Sequence, residues 1–158
     1  MPDVKTVPQG FHTITPYLFV RGAASAIAFY KKVFGATEIH SMADANGRIL
    51  HAELRIGDSV IMLADENAQM GALSPLSIGG VSSAFYVYLA NVDEVVEKAV
   101  LAGAKLDRPV ENQFYGDRNG TVIDPFGHKW SIATHVEDVP PEEIGRRATA
   151  AMNRAAGS

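Results

Sequence analysis

"AIAFYKKVFGAT", residues 26–37, decides the fold, because its pattern returns later in the chain. Ile27, Tyr30 and Phe34 recur at helical spacing, and Lys31 and Lys32 fall on the other side. Gly35 closes the run, so Ala23 to Phe34 reads as an amphipathic helix with a glycine cap. Aligning "FGAT" at 34–37 with "AGAK" at 102–105 puts Ile27 on Val95 and Val33 on Leu101, an offset of 68. Gly57 and Gly127, in two later hairpin signals, align at an offset of 70. Two close offsets from independent landmarks mark a duplicated unit.

Each copy can be read outward from its helix. "ITPYLFV" (Ile14 to Val20) is rich in aromatic and β-branched residues and reads as a strand. After the helix come "TEIHSM", "ILHAELRI" and "SVIMLA", the last two joined by the hairpin signal Gly57-Asp58. In the second copy "AFYVYLA" is the first strand. Asn91, with Glu94 in the first turn, is placed to cap a helix running through Val95, Val96, Ala99 and Val100 to Gly103. "KLDRPV", "GTVID" and "HKWSIAT" follow as strands. The predicted fold class is α+β, with tandem βαβββ modules at 12–64 and 84–139. Residues 65–83 break all periodicity and form a linker. Residues 140–158 begin Pro-Pro-Glu-Glu and carry Arg146, Arg147 and Arg154 later, a charge order that favours a C-terminal helix. Its apolar face (Ile144, Ala148, Ala151, Met152) is thin.

Composition narrows the function. In 158 residues, 14 Lys and Arg stand against 18 Asp and Glu, with no basic cluster beyond "GRR", which argues against nucleic acid as a partner. No apolar run is long enough to cross a bilayer. There is no cysteine, hence no disulfide framework and no thiolate metal site. With no apolar leader at the N-terminus, a cytoplasmic location is expected.

The densest polar stretch is "YGDRNGTVIDPFGHKW", residues 115–130. "DPFG" (Asp124 to Gly127) is turn chemistry, with Pro presetting φ and Gly tolerating positive φ. Trp130 has the parity of a core residue. "YGDR" reads as a loop, in which Asp117 and Arg118 either pair on the surface or Arg118 binds an anion with Tyr115 as a stacking wall. His51 and Glu53, two apart on a strand, share a face, either as a solvated polar face or as a pair in a cavity. His135 shares parity with Ser131, and Tyr17 and Phe19 share parity with Thr15.

"AIAFYKKVFGA", "HAELRIGDSVIML", "DPFGHKW" and "ATHVEDV" on a duplicated βαβββ frame resemble the vicinal-oxygen-chelate superfamily of glyoxalases, extradiol dioxygenases and bleomycin-resistance proteins, within it the PhnB-like subgroup. That resemblance implies curved mixed sheets around a cavity and, in catalytic members, a divalent metal held by His, Gln or Glu on the first and last strand of each module. Carried onto this chain, the four positions fall on Thr15, Ile61, Ser83 or Ala84, and Ser131. Hydroxyl and alkyl groups do not hold a hard or borderline divalent cation, so no metal or other cofactor is expected.

The leading expectation is a metal-free, small-molecule-binding protein. Its site would be built from Tyr17, Phe19, His51, Glu53, Phe114, Tyr115, Asp117, Arg118, Ser131 and His135, and the chain is expected to form a homodimer. The alternative is a metal-dependent lyase, isomerase or dioxygenase with a divalent metal on shifted ligands such as His51, Glu53 and His135.

Overall fold

The computed structural model describes residues 3–158. The first module is β1 (Tyr17–Val20), α1 (Ala23–Phe34), β2 (Thr37–Ala43), β3 (Ile49–Ile56) and β4 (Ser59–Asp65). A 3-10 turn (Ala68–Met70) and the single-turn α2 (Pro75–Ile78) follow. The second module is β5 (Phe85–Tyr88), α3 (Val92–Leu101), β6 (Lys105–Asn112), β7 (Asp117–Ile123) and β8 (Lys129–His135), and α4 (Pro141–Ala156) closes the chain. The sheets run β1-β4-β3-β2 and β5-β8-β7-β6, each with one parallel pair (β1/β4, β5/β8) and antiparallel neighbours elsewhere. This is the α+β tandem βαβββ arrangement that the repeat predicts. Among the described residues no helix is long and apolar enough to cross a membrane.

Strand alternation gives each sheet a helix side and an open side. Leu18, Val20, Ala52, Leu54, Ile61 and Leu63 of the first sheet, and Val122, Trp130 and Ile132 of the second, are buried with α1 and α3 in one continuous core. The two sheets do not close on each other. A single buried carboxylate ties the modules together. Asp124 Oδ2 accepts hydrogen bonds from the Tyr30 hydroxyl of α1 (2.6 Å) and the Trp130 indole N–H (2.9 Å), while Oδ1 accepts from the Phe126 and His128 amides (2.9 Å each). The turn at "DPFG" and the core placement of Trp130 follow the sequence reading, and Trp130 packs at tilted angles among Tyr30, Phe34 and Phe85.

The repeat is more regular than the alignment suggests. Gly22 and Asn91, both left-handed with φ of 90° and 57°, open the two helices, and neither caps with its side chain. The expected Asn91 capping box is therefore absent. Each helix is capped instead from the end of its own module's last strand. Asp65 Oδ1 accepts from the Gly22 and Ala23 amides (3.0 and 2.8 Å), and Thr134 Oγ1 accepts from the Val92 amide (3.1 Å). Gly22 to Asn91 and Asp65 to Thr134 are both offsets of 69.

Three further expectations change. Ile14 lies outside β1, which starts after Pro16, a residue with no amide hydrogen to donate. "YGDR" is not wholly loop, since Asp117 and Arg118 open β7, opposite His135 and Thr134. The stretch read as a linker is fastened by Glu66, whose carboxylate accepts from Ser77 Oγ (2.6 Å), the Ser74 amide (2.8 Å) and Arg21 (3.0 Å). Those bonds, the Ser77 hydroxyl first, pull the Glu66 pKa down to about 2.

Candidate functional site

The open face of the second sheet is laid out in rows by strand pairing. Tyr86, Ser131, Thr121 and Arg108 form one row, and Tyr88, Ala133, Asn119 and Glu111 the next, with His135 opposite Asp117 beyond. The two tyrosines of "AFYVYLA" reach this face by simple alternation. They stand 45% and 61% exposed, whereas Asp117 beneath them is only 4% exposed.

Asp117 organises the group. Its Oδ2 accepts from the Tyr86 and Tyr88 hydroxyls (2.8 and 3.0 Å), and its Oδ1 meets His135 Nδ1 at 2.8 Å. Burial pushes the Asp117 carboxyl up, but the donors from His135, Tyr86 and Tyr88 outweigh it and leave its pKa below the ordinary value. The Asp117 hydrogen bond, then that of Asp138 to Nε2 (2.7 Å), raises His135. Desolvation first, and then Asp117, raises Tyr88, and Tyr86 is also raised chiefly by desolvation. Both phenols therefore stay protonated as donors.

Asn119 extends the network. Its two amide hydrogens go to the Tyr86 hydroxyl (2.9 Å) and the Tyr115 hydroxyl (2.7 Å). That leaves the Asn119 carbonyl oxygen as an acceptor, and the Tyr115 hydroxyl, whose hydrogen can turn, as a donor for a bound molecule. Thr121 and Ser131 share a hydrogen bond of 3.1 Å. These groups line a pocket of about 330 Å³ with Arg108, Pro109, Glu111 and Gln113.

The open face of the first sheet carries a smaller chain. The Tyr17 hydroxyl meets His51 Nδ1 at 2.9 Å, and His51 Nε2 meets Glu53 Oε1 at 3.1 Å. The Tyr17 and Phe19 rings lie 5.2 Å apart. His12, Thr13 and Thr15 border a pocket there with Glu53 and Met62. A second cleft of about 420 Å³ lies where the modules meet, lined by Ile14, Ile56, Val60 and the β5 strand, and it shares Tyr86 with the pocket of the second sheet.

The structure thus gathers Tyr17, Phe19, His51 and Glu53 on one open face, and Tyr115, Asp117, Ser131 and His135 on the other. It does not bring Arg118 or Phe114 to either. Neighbours on a strand face opposite sides, so Asp117 and Arg118 part company. Arg118 turns to the helix side and grips Asp93 in the first turn of α3 through Nε and Nη2 (2.8 and 2.7 Å). Phe114 lines a groove against α4 with Arg147, Ala150 and Ala151. Reading "YGDR" as a loop hid this, because a loop gives no alternation.

The position read as Ile61 also moves. Tyr17 pairs with Met62 as Tyr86 pairs with Ser131, so Met62 is the counterpart of Ser131, and Ile61 is buried in the core. The same offset selects Ala84 over Ser83 as the counterpart of Thr15. Thr15, Met62, Ala84 and Ser131 offer two hydroxyls, a thioether and a methyl, a donor set that does not suit a hard or borderline divalent cation. The shifted set is not assembled either, since His51 and Glu53 lie on the first sheet and His135 on the second. Among the described residues no group of three or more His, Asp or Glu is arranged to hold a metal ion. Tyr86, Tyr88, Asn119, Arg108 and Glu111 escaped the sequence reading. Period-2 alternation could have found the first three. A strand irregularity hid the other two.

A two-module α+β chain with polar, aromatic open faces defines a class, and sequence comparison names it. Residues 10–132 match the Glyoxalase/Bleomycin resistance protein/Dioxygenase superfamily, and the chain belongs to that superfamily. The uncharacterized protein Mb0911c of Mycobacterium bovis is 40% identical over 134 residues, which cover 83% of this chain and 88% of that protein. The crystal structure of the Arabidopsis thaliana gene product At5g48480 matches with a TM-score of 0.63 at 28% identity, covering 78% of this chain and 98% of that one. The PhnB protein from Bacillus cereus shares the fold, with a TM-score of 0.61 at 19% identity over 78% of this chain and 99% of its own.

Proposed function

We propose that the protein binds a small molecule on the open face of its second module and works without the metal centre of its catalytic relatives. The observation that carries this reading is the network rooted in Asp117. A buried carboxylate fixes Tyr86 and Tyr88, Asn119 fixes Tyr115, and the outcome is a set of aromatic walls whose polar tips are already oriented. Ordering these side chains in advance lowers the entropy cost of binding, and apolar walls with a few placed polar groups are the usual make-up of a ligand pocket. The Thr15, Met62, Ala84 and Ser131 donor set supports the metal-free part of the reading. A second copy laid over the open faces would complete the pocket, and a cytoplasmic setting accords with the absence of cysteine.

The test is a thermal-shift screen of small metabolites, with each hit mapped by amide chemical shifts. Hits should perturb β5, β7 and β8 and lose affinity in Asn119→Ala, which releases Tyr115, while the unfolding temperature of that variant stays near wild type. Hits that map only to the seam between the modules would refute the placement.

A further inference from the structure

Arg108 and Glu111 are three residues apart on β6, and in a regular strand they would face opposite sides. They do not. Arg108 pairs with Thr121 and Glu111 with Asn119, so three steps on β6 span two on β7. The extra residue is a β-bulge at Pro109 and Val110, a device that re-aims side chains. It returns both charges to the open face, where both line the pocket beside Tyr86 and Tyr115. Gly120 holds the bulge in place. A Cβ there would meet Val110 Cγ2 at 2.8 Å and the Arg108 carbonyl oxygen at 3.3 Å, so Val110 can settle against the core only over a glycine.

The two charges are also left unmatched. Neighbouring Asp107 pairs with Lys129 (3.4 Å) and not with Arg108. Among the described residues, neither Arg108 nor Glu111 has an oppositely charged side chain within 4.0 Å. They stand on adjacent rows, about 7 Å apart along the sheet. A cation and an anion held apart on one wall of a pocket match a ligand whose own charges run the opposite way.

Resting on the binding reading above, we infer that the ligand is a zwitterion, with an anionic group directed to Arg108, a protonated amine to Glu111, and a flat body between Tyr86 and Tyr115. The guanidinium fork suits a carboxylate or a phosphate oxygen pair. Either partner alone would leave the other charge unanswered.

The experiment titrates the full-length protein with 4-(aminomethyl)benzoate, in which a rigid ring separates the two charges, and with benzoate, benzylamine and benzyl alcohol as controls, followed by amide and arginine Nε chemical shifts. The zwitterion should bind about tenfold tighter than any control, the scale of one charge-assisted contact. Arg108→Gln should bring it to the benzylamine level and Glu111→Gln to the benzoate level. Both residues are exposed, so these variants should melt with wild type. Benzoate binding as tightly as the zwitterion, or benzyl alcohol doing so, would overturn the inference and leave the small-molecule reading standing. If no probe binds while hits from the metabolite screen do, the inference falls alone. If neither binds, both readings fall.

Discussion

Two carboxylates, Asp124 and Asp117, show how one residue type does opposite work. Asp124 answers four donors from within the protein, one of them, the Tyr30 hydroxyl, from the other module, and has no remaining role toward a ligand. Asp124→Asn keeps the shape but turns an acceptor into a donor facing donors. It should cost about 1–3 kcal/mol in chemical denaturation, with ligand hits still binding the folded fraction. Asp117 is coupled to His135, and the signs of the two shifts define a pH window. His135 is raised, so its contribution is complete below the ordinary histidine value near 6.5 and is lost as pH rises through the raised one. Asp117 is lowered, so its contribution is complete above the ordinary value near 3.9 and is lost as pH falls through the lowered one. Between those limits His135→Gln should destabilise most. Denaturation midpoints of variant and wild type should converge at high pH, and a constant gap across the range would show that the ion pair contributes nothing.

Helices and strands were legible where periodicity was clean, and illegible where a single residue broke it. The span of α1 could be read from apolar spacing, and its end from Gly35. The shared face of His51 and Glu53 came from alternation. The register of β4 could not be read correctly, because aligning Gly57 with Gly127 equates a tight two-residue hairpin with the longer Asp124–His128 turn, and that shifts Ile61 into the place of Met62. Arg108 and Glu111 were hidden for the same kind of reason, since a bulge leaves little mark on the hydrophobic pattern. Helix starts were read at Ala23 and Asn91, but their caps were missed because the capping side chains lie far away in sequence. Asp65 accepts from Gly22, Ala23 and Ile49 amides, while Thr134 accepts from one, Val92. Asp65→Ala should therefore cost about 1–2 kcal/mol and Thr134→Val about 1 kcal/mol or less. The order of the two denaturation midpoints checks the assignment, and the reverse order would mean the module ends do not cap their helices.

At the scale of the molecule, the helix sides of both sheets share one core, and the open sides are left bare. Two consequences can be measured. With Thr15, Met62, Ala84 and Ser131 at the positions that the family resemblance assigns to metal ligands, protein purified without chelator should carry much less than one equivalent of Zn, Ni, Mn or Fe per chain. Stoichiometric metal lost in His51→Ala would restore the enzyme reading. The second consequence is assembly. Met42 stands 50% exposed on β2 opposite His51, Tyr17 is 42% exposed, and Tyr86 and Tyr88 extend the same character onto the second sheet. Exposed aromatic and thioether groups gathered on sheet faces, rather than scattered singly, are the kind of surface that marks an interaction site. A two-fold pairing that lays the first open face of one copy on the second open face of another covers both faces twice with one operation. An interface of this kind needs to bury about 1,200–2,000 Å² in total to be stable, which four sheet faces can supply. Light scattering at micromolar concentration should therefore give about twice the 16.9 kDa chain mass. Met42→Glu places a charge in that contact but in no part of the single-chain core. It should yield a folded monomer with weakened ligand binding, because each pocket would lose its opposite wall. A wild-type monomer, or a Met42→Glu variant that stays dimeric, would show that the open faces meet solvent rather than each other.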